Sequence, residues 1–167
     1  RCREIGFYLK NNSNEKINFN SIQITITEYE ASQGKEIFIA AEDLANDILF
    51  GFIRMRFPSQ FLREEITGRS AMIREIHVFS PAAQIGRKSE ESFQHRGIGK
   101  NLLAKAEDIA KQNGKDNMVV ISGIGAREYF RKLDYELEGV YMEKPFKKEK
   151  YLRMFLKKSF IHEPICR

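Results

Sequence analysis

The stretch Phe93-Gln94-His95-Arg96-Gly97-Ile98-Gly99-Lys100 holds the residue types that an anion site needs. Gly97 and Gly99 carry no side chain, so the backbone there can close tightly around a ligand. Helical spacing begins directly after them. The free N–H groups of a first helical turn, with the positive end of the helix dipole, attract an anion. Arg96 and Lys100 add full positive charges. The arrangement suits a pyrophosphate. It is not a nucleotide P-loop, because no Gly-Lys-Ser/Thr follows four residues after a first glycine, and it lacks the third glycine of the dinucleotide fingerprint. The pattern Gln/Arg-x-x-Gly-x-Gly/Ala arises by chance in roughly one chain in six of this length. An ordinary glycine-containing helix entry therefore competes with the anion reading, and the surrounding elements must decide.

A second charged feature lies at the end. Between Lys144 and Phe160 stand Lys144, Lys147, Lys148, Lys150, Arg153, Lys157 and Lys158 against Glu149 alone. That net +6 exceeds the +5 of the whole chain, so the remainder is close to neutral. Tyr151, Leu152, Met154, Phe155 and Phe160 interleave with the charges. Three readings stay open: a solvated surface helix, phosphate contacts with nucleic acid, or a membrane-surface helix. Arg127, Arg131 and Lys132 could extend the same basic face.

The elements that must position the turn follow from periodicity. A chain of 167 residues with 42% hydrophobic and 31% charged residues reads as one globular domain with its own core. Ser21 to Glu30 alternates with period two and predicts a strand. Glu36 to Ala41 and Asp47 to Arg56 predict two more, completing an antiparallel meander. Ala71 to Phe79 alternates again, with Met72, Arg74, Ile76 and Val78 on one face and Ile73, Glu75, His77 and Phe79 on the other. After a long loop from Ser80 to Phe93, Ile98, Leu102, Leu103, Ala106, Ile109 and Ala110 recur at helical spacing, and Asn113-Gly114 stops the helix. Asn117 to Ile121 predicts a strand, Ala126 to Leu133 a short helix, and Tyr135 to Met142 a last strand. Before Ser21 only Glu4 to Leu9 reads as a strand. A strand, the glycine turn, an amphipathic helix and a strand imply a parallel pair inside an antiparallel sheet. That is the setting an anion site at the turn requires.

No apolar run approaches the ~18 residues of a membrane span. Cys2 and Cys166 stand at opposite ends, which excludes a disulfide scaffold and favours an intracellular, cytoplasmic protein. The opening Arg1-Cys2-Arg3-Glu4 is neither an initiator methionine nor a signal peptide, so the chain is expected to be part of a longer protein.

The turn and its topology resemble the acetyl-coenzyme A site of the GNAT N-acetyltransferase superfamily. More narrowly, Ile73-Arg74-Glu75-Ile76-His77-Val78, Phe93 to Gly99, Ala106-Glu107, Val120-Ile121-Ser122-Gly123-Ile124-Gly125 and Tyr135-Glu136-Leu137-Glu138-Gly139 resemble the C-terminal acetyltransferase domain of the Elongator catalytic subunit. That family modifies the wobble uridine of certain tRNAs. The resemblance runs in order from about Arg1 to Met142. It implies an α/β (α+β) GNAT fold, with a mixed, mostly antiparallel sheet, a central parallel pair and flanking helices. Residues 1–20 would then be the linker from a missing upstream radical S-adenosylmethionine domain. Residues 21–143 would be the acetyl-CoA domain and 144–167 a basic extension.

The resemblance also assigns roles. Ile76, His77 and Val78 would pair through their backbone with the pantetheine arm. Gln94, His95, Arg96, Gly97, Ile98, Gly99 and Lys100 would hold the pyrophosphate. Glu75 would be a general base or a carboxylate paired with a nearby arginine. His77 would be catalytic or simply hydrogen bonded. His95 would contact the acyl group, orient a water or shape the loop. In GNAT enzymes a tyrosine of the second helix protonates the departing thiolate. Here Tyr129-Phe130-Arg131-Lys132-Leu133-Asp134-Tyr135 has Phe130 at the usual position and Asp134 where the family has glycine. Tyr129 remains for related work or for packing, and Tyr129 and Phe130 would both line the bound acetyl-CoA. Acetyl-CoA is the implied cosubstrate, and tRNA and other Elongator-type subunits are the implied partners. No membrane partner is expected, and no metal is expected on this chain. The iron–sulfur cluster and S-adenosylmethionine are expected only in the upstream domain. The implied activity is acetyl-CoA binding with release or hydrolysis during 5-carboxymethyluridine synthesis on tRNA. A conventional acetyltransferase for protein lysine or small amines, and a non-catalytic acetyl-CoA-binding module, are the alternatives.

Overall fold

Alternating apolar residues build the first half of the sheet. In the computed structural model, which describes residues 3–12, 17–61, 63–79 and 97–146, β1 (Gln23–Ala31), β2 (Gly34–Asp43), β3 (Ile48–Phe57) and β4 (Ser70–Val78) form an antiparallel meander. Ser32 and Gln33 turn β1 into β2 with φ of 47° and 60°. Neither is the glycine or asparagine that usually marks such a turn. Arg56 pins it instead, donating to the carbonyls of Ala31 at 2.9 Å and Ser32 at 2.8 Å. Gly34 is the first residue of β2.

Ile37, Ile39, Ile53, Met55, Ala71 and Ile73 point to one face and are buried. Helix α2 (Ile98–Gln112) covers that face with Leu102, Leu103, Ala106 and Ala110, the stripe its spacing predicts. α2 is the crossover that leads to β5 (Asn117–Val120), which pairs in parallel with β4. Helix α3 (Arg127–Arg131) follows, then β6 (Glu136–Glu138) and β7 (Tyr141–Pro145). The seven strands run β1-β2-β3-β4-β5-β7-β6, with β4–β5 the one parallel pair among the described residues. The mixed sheet with a central parallel pair and flanking helices is the fold expected from sequence.

Three expectations change. Glu4 to Leu9 is not a strand; Ile5–Asn11 forms helix α1, and Glu4 makes an isolated bridge to Leu49. Ile5 is buried and Tyr8 and Leu9 pack beside it, a spacing of three and four that belongs to a helix. The single last strand Tyr135 to Met142 is a hairpin, because Gly139 at φ 58° turns the chain there. The face assignment along β4 also fails. Arg54 pairs with Glu75 but Met55 pairs with Ile73, so Arg74 is an extra residue, a β-bulge. The bulge exchanges the faces: Ala71 and Ile73 face the core before it, and Ile76 and Val78 after it.

The turn that follows α3 ends on Asp134, whose φ of 65° lies in the left-handed region. The N–H of Tyr135 returns to the carbonyl of Phe130 at 3.1 Å and closes the end. Glycine adopts this conformation without strain, and an L side chain does not. Asp134→Gly is expected to stabilise the domain by roughly 1 kcal/mol, read as a rise in thermal midpoint.

Candidate functional site

The parallel pair does not stay together. Its register runs from Ser70 opposite Asn117 to Ile73 opposite Val120, and a last bond joins the Ile121 N–H to the Ile73 carbonyl at 3.2 Å. β5 ends there, whereas β4 continues to Val78 with β3 as its strand partner. Among the described residues the β4 edge beyond the bulge is therefore open toward β5. Phe79 gives its N–H to the Phe50 carbonyl on β3 at 2.9 Å. Alternation along the strand then turns the main-chain groups of Val78 and Ile76 into the opening.

The start of α2 stands beside this edge. Gly97 is its N-cap at φ 75° and no side chain caps the helix. The first turn holds no acidic residue, and Lys100 is exposed there. Ile98 is buried, so it offers the turn its N–H and not its side chain. A Cβ placed on Gly99 would stand 3.1 Å from the Tyr129 hydroxyl and 3.3 Å from a Val78 methyl. Three elements, β4, α2 and α3, thus converge where a side chain would fill the space. Backbone approach by a ligand needs such a gap.

Tyr129 and Phe130 divide between cleft and core. Tyr129 is 40% exposed with its hydroxyl above Gly99, and burial of its ring edge pushes the phenol pKa up. Phe130 is 2% exposed and packs edge-on against Tyr135 at 5.5 Å. The ring at the usual acid position therefore faces the core, and the hydroxyl at the cleft belongs to its neighbour.

On the sheet face opposite α2 stand Glu75 and His77. The Nε2 of His77 lies 3.1 Å from one Glu75 oxygen, and Arg54 donates to the other at 3.3 Å. The arginine beside Glu75 is Arg54; Arg74 instead donates to the buried Glu36 at 2.9 Å, which also accepts from Arg56 at 2.7 Å. Phe52 stacks on His77 at 5.4 Å. Arg54 and Phe52 were not singled out from sequence. They sit directly across from Glu75 and His77, and only the bulged register reveals that.

Two further groups complete the picture. Glu107 is a nearly buried carboxylate on α2 that accepts from the Tyr135 hydroxyl at 2.9 Å and from Lys144 at 3.0 Å. Lys144, expected among the cations for nucleic acid, thus directs its ammonium inward, over the Tyr135 ring at 5.5 Å. Gln94, His95, Arg96, Lys147, Lys148, Lys150, Arg153, Lys157 and Lys158 lie outside the described residues. Among the described residues no group of three or more His, Cys, Asp or Glu is placed to hold a metal ion, and no helix is long and apolar enough to cross a membrane.

A splayed parallel pair beside a glycine-rich helix start is the frame of a coenzyme-A-dependent acyltransferase. Residues 13–135 match the acetyltransferase (GNAT) family, and the chain belongs to that family. It is 42% identical over 146 residues to a tRNA uridine(34) acetyltransferase of Methanocaldococcus jannaschii, covering 86% of this chain and 27% of that protein. It is 36% identical over 148 residues to Elongator complex protein 3 of Saccharomyces cerevisiae, covering 86% of this chain and 26% of the relative. The solved archaeal Methanocaldococcus infernus Elp3 with an N-terminal deletion superposes with a TM-score of 0.78 at 42% identity, covering 87% of this chain and 34% of that one. The chain therefore spans about a quarter of the length of the two full-length relatives and about a third of the solved chain.

The division between Tyr129 and Phe130 can be read kinetically. Tyr129→Phe is expected to slow thiol release from acetyl-CoA by about 10²-fold, the usual worth of a positioned proton donor. Phe130→Tyr is expected to add nothing. Because the phenol pKa is raised, the wild-type rate should persist beyond the ordinary phenol range, near 10, before it falls.

Proposed function

We propose that this chain is the acetyl-CoA domain of an Elongator-type enzyme that modifies the wobble uridine of tRNA. The observation that carries the reading is the open β4 edge at Ile76 and Val78, directly beside the uncapped glycine start of α2. A pantetheine arm carries two amides, and an open strand edge is their natural partner. A pyrophosphate is the natural partner of the helix start. The names of the relatives support tRNA as the substrate.

In this reading acetyl-CoA lies with its phosphates on the α2 side and its thioester between the strands. Glu75, with His77, receives the proton of an attacking water from the opposite face. The new C–O bond forms as the C–S bond breaks. Tyr129 gives its proton to the departing thiolate, and acetate and coenzyme A leave. The radical step at the acetyl methyl, with its iron–sulfur cluster and S-adenosylmethionine, belongs to another domain of the longer protein. The resemblance at Gln94, His95 and Arg96 assigns these three to the pyrophosphate and acyl group. A conventional acetyltransferase would place an amine where the water stands.

The deciding measurement is acetyl-CoA hydrolysis by the full-length parent with and without tRNA. Stimulation by tRNA is expected; amine acetylation indifferent to tRNA would overturn the reading. Gly99→Val should abolish acetyl-CoA binding in titration calorimetry while the circular dichroism spectrum is kept, and retained binding would mean the cleft is not the site. The cations Lys147, Lys148, Lys150, Arg153, Lys157 and Lys158 meet the RNA backbone in this reading. Reversing Lys147, Lys148, Lys157 and Lys158 should weaken tRNA binding and flatten its salt dependence.

A further inference from the structure

Three rings stand in line on the sheet face opposite α2, one from each of β2, β3 and β4. Phe38 stacks on Phe52 with centroids 5.1 Å apart and planes 27° apart. Phe52 stacks on His77 at 5.4 Å and 13°. Each ring is one strand nearer the cleft. Phe79 lies 6.0 Å from Phe52 and 6.1 Å from His77, nearly equidistant. It therefore flanks that pair and does not lie on the far face of His77. The strand that would continue the line is β5, and β5 has already ended at Val120. Among the described residues no ring stacks on the far face of the imidazole, and its side chain is 52% exposed.

Phe52 supports one face of that imidazole, and a Glu75 oxygen lies 3.1 Å from its Nε2. Two guanidiniums border the rings: Arg54, ion-paired to Glu75, and Arg74, ion-paired to Glu36. Arg54 and Arg74 are 38% and 44% exposed. An aromatic stack whose end is vacant among the described residues, with arginines at its border, favours a flat ring on a phosphate chain, which an aliphatic amine is not.

We propose that His77 is the terminal ring of a stacking platform for one unpaired RNA nucleobase, entering the cleft from the side opposite the acetyl-CoA phosphates. The proposal rests on the tRNA reading above and adds to it the place where the acceptor base sits. The base continues the stack Phe38, Phe52, His77 over the open edge of β4. There it lies against the carboxylate–imidazole pair.

The test uses two anticodon stem-loop RNAs that differ only at the wobble position, one carrying uridine and one an abasic ribose. Their affinities for the full-length parent are measured by fluorescence anisotropy. The wild type is expected to prefer the uridine RNA by about tenfold, the worth of one stacked base. His77→Ala should erase that preference, and His77→Phe, which stacks but cannot bond Glu75, should keep it. A preference unchanged in His77→Ala overturns the platform, as does equal binding of both RNAs by the wild type, which leaves the tRNA reading standing. Binding of neither RNA overturns the tRNA reading and the platform together.

Discussion

The separation of β4 from β5 beyond Ile73 is the constraint on which the site depends. A parallel pair must satisfy its main-chain groups along its whole length or leave some exposed. Here four residue pairs are joined and the rest of β4 is left open. The bulge at Arg74 allows this without loss of the core. It inserts one residue, so Ile76 and Val78 stay on the side that Ala71 and Ile73 began, next to α2. Without it, Glu75 and His77 would point into the apolar layer, where an ionised carboxylate is costly. One extra residue thus keeps apolar side chains inward and chemical ones outward at the same strand end.

The rest of the structure holds that opening in place. Gly51 on β3 faces the last paired residue of β4, and a Cβ there would meet the His77 carbonyl at 2.6 Å. The close approach of β3 thus belongs with a β4 end that has a neighbour on one side only. On the other side, Glu107 ties α2 to Tyr135 and to Lys144 on β7. A carboxylate this deep is tolerated because a phenol and an ammonium both meet it. The link fixes the helix that presents the glycine turn relative to the strands behind β5. Glu36 does similar work on the open face, collecting Arg56 and Arg74 and so anchoring the bulge itself.

Much of this was legible in the residues. The β1–β3 meander, the apolar stripe of α2 and the glycine turn each follow from local spacing, because each is decided by neighbours within one element. The bulge was not legible, since alternation across Ala71 to Phe79 looks unbroken and only the partner strand shows that Arg74 is extra. For the same reason Arg54 and Phe52 stayed hidden: their importance comes from lying opposite Glu75 and His77. The turn at Ser32 and Gln33 carries no turn signal of its own and is held by Arg56 from another strand. Helix α1 was missed because seven residues give one turn of pattern beyond the minimum, and only the burial of Ile5 between sheet and helix decides it.

The departures at α3 take on a different meaning once the helix is in place. Phenylalanine at position 130 removes a hydroxyl from the core, where the ring already packs between Tyr129 and Tyr135. The cleft keeps its phenol, because on a short helix adjacent residues point about 100° apart and only one of two neighbours can reach Gly99. The Asp134 departure costs backbone comfort and not chemistry, since its effect is confined to the turn that returns Tyr135 to the Phe130 carbonyl. Both changes therefore fall on the structural side of α3 and spare the side that faces the cleft. In the proposed reading, a thiolate leaving from between the strands would find its donor on Tyr129, with Glu75 and His77 as proton acceptors on the far face. On that reading the sheet itself separates acid from base, and the opening beyond Ile73 is where a thioester would meet both.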